Sequence, residues 1–98
     1  MALSNNELSA IRNDLAVLHK AASAIDGWNG KQGRTFIEVG EYGLALDEIA
    51  YAYLDAGRAM PLDIFETFEK LAMMMDLAQD PEFDGVARIR ANAVRTSG

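Results

Sequence analysis

Cysteine is absent from this chain of 98 residues, and proline, histidine and tryptophan occur only two, one and one times. Without cysteine there is no disulfide, no thiolate nucleophile and no sulfur-ligated metal site. One histidine, His19, cannot build a zinc site, and the paired Glu-x-x-His pattern of a di-metal carboxylate bundle is missing. The D-x-[DN]-x-[DN]-G spacing of a calcium loop does not occur. No apolar run approaches the ~20 residues that cross a bilayer. The opening MALSNNELSA lacks the basic and apolar regions of a secretory signal, so the expectation is a cytoplasmic protein with no membrane contact.

Bases are scarce in one place above all. Residues 38 to 84 hold twelve acids against only Arg58 and Lys70, a net charge of −10, whereas residues 1 to 37 carry +1 and residues 85 to 98 carry +3. Such a field repels nucleic-acid phosphate and anionic lipid and attracts basic partners. Arg88, Arg90 and Arg95 near the C-terminus are read as offsetting the acids before them or complementing a helix C-terminus, not as a nucleic-acid site.

What the chain does have is helical spacing. Leu8, Ile11, Leu15, Leu18, Ala22 and Ile25 recur every three or four residues, and SNNE at Ser4 to Glu7 has capping-box form, which predicts a helix over about 5–25. DGWNGKQGR follows, and Gly27, Gly30 and Gly33 read as loop geometry. A short helix is expected over 35–40, a break at Gly40 to Gly43, and a long helix over 42–56 with Tyr42, Ala45, Leu46, Ile49, Ala50, Tyr53 and Leu54 as its apolar stripe and Gly57 as its stop. DIFE at Asp63 to Glu66 reads as a second capping box, opening a helix over 63–77 with Ile64, Phe65, Phe68, Leu71, Ala72 and Met75 facing inward. Asp80 followed by Pro81 reads as a cap with proline at the first helical position of a helix over 81–95, carrying Phe83, Val86, Ile89 and Val94, weakened by Gly85 and frayed from Thr96. Connections of a few residues favour antiparallel neighbours, so the expected fold is all-α, a small antiparallel helical bundle of four to five helices in one domain spanning 1–98.

No catalytic constellation emerges. His19 borders the first apolar stripe and reads as a boundary or surface residue rather than a general base. Met73, Met74 and Met75 point about 100° apart on a helix, so they read as core and boundary packing, not one groove. Trp28 either plugs the open end of the bundle or, exposed, anchors a partner. The expectation is a protein that binds, without catalytic residues, metal or cofactor.

The stretch E-Y-G-L-A-L-D-E-I-A at Glu41 to Ala50, followed by a glycine stop, a proline turn and an acid-rich helix ending EKLAMMMDL, resembles the MafI-type family of small immunity proteins of bacterial polymorphic and contact-dependent toxin systems. The likeness covers roughly residues 36 to 77. It implies an antidote that binds the toxic domain of a secreted effector, often a basic nuclease, and blocks it, with the acidic field standing in for phosphate. Glu41, Tyr42, Gly43 and Ala45 match the shared pattern and are read as mainly structural. For partner contact the candidates are the acids Glu38, Glu41, Asp47, Glu48, Asp55, Glu66 and Glu69, with Tyr51 and Trp28 as anchors inside the carboxylate rim. The free protein is expected as a monomer or weak dimer, with a dimer seam at the methionines as the structural alternative. A second reading is an acidic helical adaptor or regulatory module that recognises a basic protein partner.

Overall fold

Ser4 opens the first helix as its sequence asks. Its Oγ accepts from the Glu7 N–H at 3.1 Å while the Glu7 carboxylate accepts from the Ser4 N–H at 3.0 Å. These bonds hold the Glu7 carboxyl below its ordinary value. A computed structural model describes residues 3–77 and 80–97, with side chains for 3–77 and 80–92. Its helices are α1 (Asn5–Ala22), α2 (Lys31–Glu38), α3 (Tyr42–Ala56), α4 (Leu62–Met74) and α5 (Asp84–Ser97), an all-α bundle with no strand among the described residues. None of these helices is long and apolar enough to cross a membrane.

The hub is α3, which touches all four other helices, while α1 also packs on α2 and α4. It earns that position by having apolar residues around most of its circumference: Ala45, Leu46, Ile49, Ala50, Ala52 and Tyr53 are all buried. Around it lie Ile11, Leu15 and Leu18 of α1, Phe68 and Leu71 of α4 and Val86 of α5, each with at most 2 % of its surface exposed. The Cα radius of gyration, 12.5 Å, matches the ~12.6 Å of a compact chain this long.

Three helices end the same way. Beyond α2, α3 and α4 a residue turns left-handed (Gly40 at φ +81°, Gly57 at +65°, Asp76 at +55°), and the next N–H reaches back five residues, Glu41 to Phe36 O, Arg58 to Tyr53 O and Leu77 to Ala72 O. Gly40 and Gly57 mark their stops in the sequence. Asp76 does the same work without being glycine, which acidic side chains tolerate better than most.

Several boundaries differ from the spacing-based expectation. α1 ends at Ala22, not 25, because its last turn tightens to three-residue bonds at Ala24 and Ile25 and the Ser23 hydroxyl donates to His19 O. Leu8 sits at the exposed edge of the stripe. α2 begins at Lys31, four residues before the expected start, and Gly33 lies inside it, buried. A Cβ on Gly33 would stand 3.4 Å from His19 Cδ2 and 3.7 Å from Glu48 Cβ, ordinary contact distances, so α2 packs on α1 and α3 here with room for no more than a small side chain.

The DIFE capping box does not form. The helix is already under way at Pro61, whose carbonyl accepts from the Phe65 N–H at 2.8 Å, so Asp63 falls in the first turn and caps nothing. Likewise Asp80 and Pro81 make a turn, with Asp80 Oδ1 accepting from the Glu82 N–H, and α5 starts at Asp84. The helix includes Thr96 and Ser97, where fraying is expected from sequence. The side chains of Val94 and Arg95 lie outside the described residues. Met73 is 67 % exposed while Met74 and Met75 pack against the core, so the three do not share a face.

Candidate functional site

The loop from Ser23 to Gly30 is shaped by two left-handed glycines, Gly27 at φ +89° and Gly30 at +71°. The second brings its carbonyl to within 2.7 Å of His19 Nε2, which donates to it. His19 is thus only 8 % exposed and holds a loop eleven residues on, in place of the boundary or surface role expected for it. Its ring also packs against Trp28, with centroids 5.1 Å apart at 56°. A Cβ on Gly30 would come within 3.0 Å of Trp28 and 3.1 Å of His19 at a left-handed φ, so any side chain at this corner would be both strained and crowded.

Trp28, fixed in this way and half-buried, forms one wall of a groove of about 550 Å³. The first five residues of α2 supply Lys31, Gln32 and Thr35, and α3 supplies Glu48, Tyr51 and Asp55. Positions 48, 51 and 55 are spaced by three and four residues, which puts them on one face of the helix. Burial raises the Glu48 carboxyl above its ordinary value, and the neighbouring Asp47 and Asp55 charges raise it further. No hydrogen bond or ion pair joins Glu48 or Asp55 to another described residue.

Four of the expected contact residues, Trp28, Glu48, Tyr51 and Asp55, therefore meet at one groove. Glu38, Glu41 and Glu66 are exposed but do not line it. Glu69 is committed elsewhere, gripped by Arg90 through three bonds of 2.7 to 3.0 Å that tie α4 to α5. Arg88 lies 3.9 Å from Asp84, and Lys70 pairs with Asp14 at 2.7 Å. Lys31, Gln32 and Thr35 are not among the expected contacts: residues 31–34 read as loop, and Thr35, neither acid nor aromatic, as the start of a helix; the i, i+4 spacing of Lys31 and Thr35 is the signal that places them on one helix face.

Asp47 is a structural residue in this arrangement. Its Oδ1 accepts from the Val86 N–H at 3.1 Å, capping α5 from a neighbouring helix. Beside it, the Tyr51 hydroxyl donates to Asp84 at 3.0 Å, which holds the phenol above its ordinary value. Gly85 makes the approach possible, since a Cβ there would fall 2.8 Å from Asp47 and 2.9 Å from the Tyr51 ring. Burial pushes the Asp47 carboxyl up, against the pull of the Val86 and Gly85 N–H groups. The fold therefore gains from Asp47 protonation below its unfolded value and loses that gain as pH rises through the folded one. Asp47→Ala should cost about 1–3 kcal/mol at pH 7 by leaving the buried Val86 N–H unpaired, while Asp47→Asn, which keeps the acceptor, should stay within about 0.5 kcal/mol of the parent. Urea unfolding of both variants checks this.

Among the described residues no group of three or more histidine or acidic side chains is placed to hold a metal ion. What fold and groove define is a five-helix bundle presenting an aromatic, acid-flanked groove fixed by a histidine latch. No family model, no curated protein and no solved structure matches the chain.

Proposed function

We propose that this chain is an immunity protein, binding one to one to a basic toxin domain, of the nuclease type, and neutralising it in the cytoplasm of the producing cell. The observation that carries the reading is the groove, where two aromatic side chains lie beside two carboxylates that make no ion pair among the described residues. A half-buried unpaired carboxylate is costly for the fold and favourable for a cationic partner. The −10 balance of residues 38 to 84 acts at longer range, steering such a partner in and turning nucleic acid away. The likeness of residues 36 to 77 to the MafI-type immunity proteins supports the same reading.

Calorimetric titration against the C-terminal domain of whatever large secreted protein is encoded immediately upstream tests it. Tight one-to-one binding that weakens as salt rises is the expected result. Silence toward that domain, with binding to a basic peptide retained, would replace the immunity reading with the adaptor one.

A further inference from the structure

We propose that the groove between α2 and α3 is a socket for an arginine side chain of the partner, with the guanidinium laid between Trp28 and Tyr51 and paired with Glu48. The inference rests on the binding function proposed above and names what its site recognises.

Both aromatic walls are held in place by contacts within the fold. Trp28 is pinned by His19 and by the absence of a side chain at Gly30, and Tyr51 by Asp84 and the close approach of Gly85. Rigid aromatic faces receive a flat cation without a further ordering cost, and guanidinium is flat, weakly hydrated and a good stacking partner. Glu48 is half-buried, lacks any partner within the described residues, and has two further carboxylates on its own helix. A guanidinium would relieve both the desolvation and the repulsion at once. Asp55 stands two turns along α3, about 10 Å by helical rise, and so adds charge at the rim rather than a second prong.

The opposite wall fits the chain that carries the arginine. Lys31 and the first turn of α2 present positive charge where the partner's backbone carbonyls would pass. That same charge disfavours a second cation, so the socket holds one arginine, not a basic cluster. An ammonium, compact and strongly hydrated, gains less from two aromatic faces than a guanidinium does.

The single tryptophan of the chain is in the socket wall, so its emission reports occupancy directly. The test is titration of the full chain with acetyl-arginine amide at constant ionic strength, beside the lysine and the neutral citrulline amides. Arginine amide should shift Trp28 emission saturably with a Kd of about 1–10 mM. Lysine amide should bind about fivefold more weakly, and citrulline amide should not saturate. Glu48→Gln should weaken the arginine response about tenfold, against less than about threefold for Asp55→Asn. Glu48→Gln removes a carboxylate whose ionisation the fold disfavours, so its folding should not suffer.

An arginine response that is absent, matched by citrulline, or unchanged in Glu48→Gln overturns the socket. If the toxin domain still binds tightly while arginine amide leaves Trp28 unmoved, the socket fails and the immunity function stands. Saturable arginine binding without any binding to the toxin domain keeps the socket and removes that function.

Discussion

Lysine at both Glu48 and Asp55 should slow association with a basic partner domain by roughly ten- to a hundredfold at low salt, since steering by a focused field changes on-rates by factors of about 10–10³. The double reversal moves the formal charge from −6 to −2, and places the change where the two unpaired carboxylates face the groove. Stopped-flow measurement of Trp28 emission at several ionic strengths gives both the rate and its salt slope, and the slope should flatten as the rate falls. The matched comparison is reversal of Glu38 and Glu66, which alters formal charge by the same amount away from the groove. That pair should slow association several-fold less. Equal slowing by both pairs would mean that the whole acidic surface steers and that the groove has no special part in docking. Asp47 belongs to neither pair, because its carboxylate caps α5 and its loss would confound binding with folding.

The residues that lie on one helical face were readable before any coordinates. Periodicity places Ile11, Leu15 and Leu18 together, and equally Glu48, Tyr51 and Asp55. Local chemistry was readable too where both partners sit within a few residues, as at the Ser4–Glu7 box and the glycine stops at 40 and 57. The failures share a cause. α5 takes its cap from Asp47, thirty-nine residues earlier, so the Asp80–Pro81 pair near its start was free to make a turn instead. α2 starts at Lys31 because Gly30, which looks like loop punctuation, turns left-handed against His19, and nothing in the local pattern of His19 announces a carbonyl eleven residues away.

That distinction also explains why the site was half legible. Its α3 side follows from spacing alone, but its other wall depends on a loop folded back by two left-handed glycines. Trp28 packs on His19 and lines the groove, so the same ring contact that ties it to α1 also fixes where it stands in the groove wall. Gly43 of the E-Y-G-x-A stretch sits where a Cβ would meet the Phe83 ring at 3.0 Å, and Ala45 is fully buried. These two positions of the stretch serve packing, while the groove is lined by the acids and aromatic residues further along α3 and in the loop before α2.

Phe68→Ala should lower stability by about 3–5 kcal/mol, the usual cost of deleting a fully buried phenylalanine with partial collapse of the cavity. Phe68 is the largest of the fully buried side chains, and it stacks on Phe65 with centroids 6.5 Å apart along the helix that packs on α1 and α3. A chain of this length has only about 5–15 kcal/mol in total. The variant should therefore lose roughly 15–30 °C in Tm and stand close to unfolded at 37 °C. Phe68→Leu keeps most of the volume and should cost about 1–1.5 kcal/mol, whereas Met73→Ala, at a largely exposed position of the same helix, should stay within about 0.5 kcal/mol. Thermal unfolding of the three variants separates core from surface along α4. A large loss at Met73 in the monomer would contradict its exposed placement, and a loss appearing only at high protein concentration would put the methionines at a dimer seam. Because α4 packs on both α1 and α3, slackening at Phe68 should also loosen the face of α3 carrying Glu48 and Tyr51, and partner affinity should fall in step with stability across the Phe68 series.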